Sequence, residues 1–108
     1  MTNIGEPFRR ITVVEANQRI VEGGIQIVDV RTPSEYATGH VPGSINIPHT
    51  AIIPRKGELD PEKELLFICR SGQRSGLACE YAAAAGFRGL HNIEGGMLAW
   101  VEAGLSVE

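Results

Sequence analysis

The run Leu65-Leu66-Phe67-Ile68-Cys69 constrains this chain more than any other feature. Every residue in it is apolar, so it reads as a strand buried on both faces rather than as an alternating, half-solvated one. Such a strand belongs to a parallel sheet covered by helices on either side. Ile25-Gln26-Ile27-Val28-Asp29-Val30 has the same apolar, β-branched character. Residues 44–47 and Leu90 to Ile93 supply shorter strands, Pro48 closes the former, and Ile11-Thr12-Val13 is a further β-prone run. Helical stretches fall between them. One covers Glu15 to Val21 and is stopped by Gly23-Gly24. A second is opened by Thr32 as N-cap, Pro33 at its first position and Glu35 three residues after the cap, and ends at Gly39. A third runs from Gln73 to Ala85, with Gly86-Phe87 behind it, and a fourth follows Gly95-Gly96 through Trp100 to Ala103. Residues 54–64 read as a polar surface loop. The expected fold class is α/β, with about five parallel strands and helices on both faces.

A chain of 108 residues fits one domain, large enough to bury a core without a metal or disulfide framework. Residues 1–10 read as an N-terminal lead-in and 11–108 as the domain. The net charge of −3 argues against nucleic acid or an anionic membrane surface as partner. No apolar run is long enough to span a bilayer, and the first residues lack the apolar stretch of a signal peptide, so the expected location is cytoplasmic. Neither Cys69 nor Cys79 has the paired histidines of a zinc site, and a structural disulfide is not expected in a reducing compartment. No metal or organic cofactor is expected.

The chemistry is concentrated where the central strand ends. Arg70-Ser71-Gly72-Gln73-Arg74-Ser75 turns directly from Cys69 into a helix. In an open α/β sheet, ligands sit beyond the carboxyl ends of the strands. A tight strand-to-helix turn aims successive N–H groups inward as an anion cradle, and the helix dipole adds partial positive charge there. Cysteines in such settings have pKa values of roughly 3.5–7.5, against about 8.5 when free. Cys69 is therefore the candidate nucleophile, set against the plainer possibility of an inert cysteine that ends a strand.

The same residues carry a resemblance. The Cys69–Ser75 loop resembles the active-site loop of the rhodanese (thiosulfate sulfurtransferase) family. Asp29-Val30-Arg31, Glu35-Tyr36 and the segment 39–48 (Gly39-His40-Val41-Pro42-Gly43-Ser44-Ile45-Asn46-Ile47-Pro48) resemble its first signature, and Gly86-Phe87 with residues 94–100 its C-terminal elements. The resemblance spans Ile11 to Gly104. It implies a rhodanese fold and a cycle in which Cys69 takes sulfane sulfur from a small-molecule donor and passes it to a thiophilic acceptor such as cyanide or a thiol, with a sulfur-relay protein as a further candidate partner. It also favours burial of the small-residue side of the third helix, which makes Cys79 a packing residue.

Neighbouring residues are weighed against plainer roles. Arg70 and Arg74 are candidate donor contacts, with Arg74 alternatively a solvent-facing helix residue. Asp29 and Arg31 are read as an ion pair supporting the loop from below, and Glu35 as a capping carboxylate. His40 is expected to make a structural hydrogen bond, His49 and His91 to be bystanders, and Trp100 to be core. Two other function classes share these features: a dedicated sulfur-carrier or binding module, and a cysteine-dependent phosphatase or arsenate reductase. The latter enzymes place an arginine six positions after the cysteine, where this chain has Ser75.

Overall fold

In the computed structural model, which describes residues 5–108, the apolar runs assemble as one sheet. Its strands are β1 (Arg9–Ile11), β2 (Ile25–Asp29), β3 (Ile45–Asn46), β4 (Glu64–Ile68) and β5 (Leu90–Ile93). They lie in the order β1-β5-β4-β2-β3, and every pairing is parallel. The most apolar strand, β4, is therefore central. The helices are α1 (Val13–Glu22), α2 (Pro33–Ala37), α3 (Gln73–Ala84) and α4 (Gly96–Glu102).

Strand alternation splits the core into two faces. Leu65, Phe67 and Cys69 point to the side packed by Ala78, Cys79 and Ala82 of α3. Leu66 and Ile68 point to the other, with Val13 and Ala16 of α1 and Met97 and Trp100 of α4. The pleat thus aims Cys69 toward the start of α3. The buried stripe of α3 is made of small residues, while Leu77 and Tyr81 remain exposed. Helix and sheet approach closely there, and Cys79 is fully buried as a packing residue.

Several boundaries differ from the sequence expectation. Thr12 is not a strand residue. It caps α1, its hydroxyl accepting from the Glu15 N–H while the Glu15 carboxylate accepts from the Thr12 N–H, each at 3.1 Å. β1 accordingly lies earlier, and Arg9 and Arg10 of the lead-in pair with His91 and Asn92 of β5. Phe8 just ahead of them is buried with the α3-side core. The first four residues of the lead-in lie outside the described residues. β4 ends at Ile68, which leaves Cys69 as the first residue of the turn, and the expected loop over residues 54–64 contains a 3₁₀ turn at Lys56–Glu58 and a buried Leu59.

Candidate active site

Parallel register brings Asp29, Ile68 and Ile93 to one edge of the sheet, and the Cys69 turn sits just beyond it. The conformation of that turn is fixed from behind by α4. The Met97 N–H donates to the Cys69 carbonyl at 2.8 Å, and the Leu98 N–H donates to the Arg70 carbonyl at 3.1 Å. In a planar trans peptide the N–H points opposite to the C=O. Carbonyls tied toward α4 therefore turn the following amides, of Arg70 and Ser71, away from α4 and into the loop. Such proximity requires glycine at the helix start: Gly96 has φ +55°, and a Cβ there would overlap the Cys69 carbonyl oxygen. The Gly95-Gly96 pair, read from sequence only as a helix lead-in, is part of the site's foundation.

Gly72 does the rest. It occupies the N-cap of α3 with φ 110°, a left-handed conformation open to glycine, and its N–H donates to Cys69 Sγ at 3.0 Å. The Ser75 hydroxyl lies 3.3 Å from the same sulfur. Burial pushes the Cys69 thiol toward higher pKa, but the Ser75 hydroxyl and the amides of Ser75, Gly72 and Ser71 outweigh it, leaving the thiol more acidic than normal. Among the described residues no such donor reaches Cys79, and burial raises its pKa far above the ordinary range. Hydrogen bonding thus lowers one thiol's pKa while burial raises the other's. Cys69 is only 1% exposed.

The two loop arginines part company. Arg74 is neither directed at the sulfur nor pointing to solvent: its guanidinium clasps Glu35 of α2 through two bonds, of 2.7 and 2.9 Å. Glu35 caps α2 as expected, its carboxylate also accepting from the Thr32 N–H at 3.1 Å. The Arg74 bonds hold the Glu35 pKa down to about 2, against the opposing effect of partial burial. Arg70 is exposed at the rim of a groove of about 610 Å³, also lined by Glu35, Met97, Leu98 and Val101. Gln73, in the first turn of α3, is exposed.

Asp29 and Arg31 do form a buried ion pair, with N···O distances of 2.7 to 3.0 Å. Among the described residues no hydrogen bond joins the pair to the Cys69 loop, although the Asp29 charge is felt by Arg74. The remaining guanidinium bond goes to the Gly39 carbonyl at 2.8 Å, so the pair ties the end of β2 to the turn after α2. His40 is structural: its ring stacks on Tyr36 at 3.8 Å, and its Nδ1 lies 3.0 Å from the Tyr36 carbonyl oxygen. His49 begins a 3₁₀ turn and His91 packs against Glu64 at the opposite end of the sheet. Trp100 is core, its indole N–H donating to the Ser106 carbonyl.

Sequence reasoning missed Asn92. It is buried in β5, where its amide bonds Gly72 and Ser75. The available signal was a polar side chain inside a short strand otherwise bounded by Leu90 and Ile93, since a buried amide needs partners.

Comparison with known proteins fits this geometry. The family model described as Rhodanese-like domain matches residues 12–103. The chain is 46% identical over 77 residues to the putative sulfurtransferase YtwF of Bacillus subtilis, covering 70% of this chain and 73% of that protein. It is 32% identical over 97 residues to the thiosulfate sulfurtransferase GlpE of Pseudomonas paraeruginosa, covering 90% and 87%. Among solved structures, the rhodanese-related protein of Thermoplasma volcanium superposes with a TM-score of 0.85 at 31% identity, over 94% of this chain and 98% of that one.

Proposed function

The chain belongs to the rhodanese-like domain family, and we propose that it is a sulfurtransferase working through a persulfide on Cys69. The observation that carries this reading is the convergence on one acidic thiol of the Gly72 N–H at 3.0 Å and the Ser75 hydroxyl at 3.3 Å, at the carboxyl edge of the sheet. The Cys69 thiolate attacks the sulfane sulfur of thiosulfate. A new S–S bond forms, the old one breaks, and its electron pair leaves with sulfite. The negative charge passes to the outer sulfur of the persulfide, where preorganised loop amides stabilise it without rearrangement. An acceptor, cyanide or a thiolate, then attacks the outer sulfur and returns Cys69 as thiolate. Proton bookkeeping is minimal, and no metal or organic cofactor enters the scheme. A single sulfur atom suits a thiol buried this deeply in its loop.

Intact mass after thiosulfate treatment tests the reading: one added sulfur, removed by cyanide, is the expected result. Cys69→Ser should abolish both the adduct and turnover while leaving the thermal transition in place, because a serine hydroxyl is not ionised near neutral pH. Sulfur that loads but resists cyanide would instead favour a dedicated carrier. The phosphatase reading meets two obstacles. Ser75 stands where an arginine would clamp phosphoryl oxygens, and Arg74 is committed to Glu35. p-Nitrophenyl phosphate should therefore be hydrolysed negligibly beside sulfur transfer; comparable efficiency on both would overturn the sulfurtransferase reading.

A further inference from the structure

The Ser75 hydroxyl carries one proton and faces two acceptors. Cys69 Sγ lies at 3.3 Å and the Asn92 side-chain oxygen Oδ1 at 2.5 Å. The orientation of the Asn92 amide follows from its other end, where Nδ2 donates to the Gly72 carbonyl at 3.0 Å. Reversing the amide would set oxygen against oxygen there, so Oδ1 faces Ser75. Asn92 is only 1% exposed, and Oδ1 accepts from Ser75 alone among the described residues. A buried carbonyl left without a donor is costly.

We infer that Asn92 is a positioning residue that competes with the Cys69 sulfur for the single Ser75 proton. While Cys69 is a neutral thiol, both needs are met in a chain: the thiol donates to Ser75, and Ser75 donates to Asn92. When the thiolate forms, the sulfur has no proton to give. The hydroxyl must turn to it and abandon Oδ1, or stay and offer the anion only a lone pair. Either way Asn92 restrains the acidity that the loop amides confer. A thiolate's attacking power falls as its thiol becomes more acidic, so the restraint trades thiolate population for nucleophilicity. After sulfur transfer Cys69 Sγ bears no charge, and the hydroxyl returns to Asn92. This inference rests on the reading of Cys69 as the sulfur-carrying nucleophile, yet its test needs no sulfur donor.

Charged and titratable groups lie around the cluster: Arg74 with Glu35, Asp29 with Arg31, Arg10 with Glu6 and Glu94, Glu80 of α3, Arg70 in the loop, and the Cys79 thiol. All are kept constant across the variants. Iodoacetamide alkylation rate against pH gives the Cys69 midpoint. Asn92→Leu should lower that midpoint by about 0.5–1, and Ser75→Ala should raise it by a similar amount. The double variant should match Ser75→Ala alone, because Asn92 acts through Ser75. A midpoint raised or unmoved by Asn92→Leu, or a further change in the Ser75→Ala background, overturns the inference. That background also controls for the lost bond to Gly72. Should Asn92→Leu fail to fold, the unaltered protein decides: the Asn92 side-chain amide NMR signal should titrate with the alkylation midpoint and do so far less in Ser75→Ala. No movement, or equal movement in both, overturns it. The expected midpoints without persulfide formation would instead remove the proposed function and leave the competition standing.

Discussion

At the scale of single residues, burial and hydrogen bonding pull the two cysteines apart. Both cysteines are buried, yet among the described residues only Cys69 is surrounded by donors able to solvate an anion. Iodoacetamide near neutral pH should accordingly label Cys69 and spare Cys79 in the folded protein. Cys79→Ala should cost about 1–2 kcal/mol through the small cavity it leaves and keep turnover within a few-fold. Loss of activity in a folded Cys79→Ala protein would show that Cys79 does more than pack. The Glu35–Arg74 pair makes a prediction about acid. Glu35 has its pKa lowered from 4.5 to about 2 on folding. Its contribution to stability is therefore fully present above 4.5 and is lost as pH falls through about 2. The melting-temperature gap between the unaltered protein and Glu35→Gln should close over that window. Both side chains are near the surface, so the gap itself should be modest. A gap that persists at the acid end would mean that the pair's charge is not what the carboxylate contributes.

At the scale of elements, the decisive contact is the docking of α4 behind the Cys69 turn. Two backbone N–H groups of α4 hold two loop carbonyls, and Gly96 makes the approach possible. Gly96→Ala would place a Cβ into the Cys69 carbonyl at a left-handed backbone position. It should destabilise the fold by about 2–4 kcal/mol through strain and overpacking. More tellingly, the Cys69 alkylation midpoint should move back toward that of a free thiol, because the amides lose their aim. A Gly96→Ala protein with unaltered midpoint and turnover would show that the loop holds its shape without α4. Helix α2 contributes differently: it buries no residue of its own, but its cap carboxylate fixes Arg74.

For the whole molecule, the sheet extends into what the sequence presents as a loose lead-in. Phe8 lies in the core beside α3, with Arg10 over its ring at 5.7 Å, and Arg9 and Arg10 extend β5 at the sheet edge. Phe8→Ala should cost about 3 kcal/mol, which in a domain of this size lowers the melting temperature by on the order of 10 °C or more. A change of a degree or two would return residues before Ile11 to the status of an appendage. The sheet also explains the structural part of the Asp29–Arg31 pair. The end of β2 must be joined to the turn after α2, and a buried pair with one spare donor for the Gly39 carbonyl accomplishes that.

The sequence by itself determined the layers, the central strand and the position of the candidate nucleophile. Those depend on local patterns: an unbroken apolar run, caps and glycines at fixed offsets, and a cysteine followed at once by a turn into a helix. Thr32 and Glu35 were legible because a capping box closes within three residues, as was the end of α3 at Gly86. The same device at Thr12 and Glu15 was obscured by β-branched neighbours that also suit a strand. Tertiary structure alone decided which groups surround Cys69. Arg74 lies five residues from it and was open to either a donor contact or a solvent-facing place, yet a carboxylate 39 positions earlier takes the guanidinium. Asn92 is separated from Ser75 by 17 positions and reaches it because β5 lies beside β4 with Phe67 opposite Asn92. Met97 and Leu98 hold the loop carbonyls from another helix altogether. A single hydrogen bond selects its partner by distance and direction in space, and those are set only when strand order and helix docking are complete.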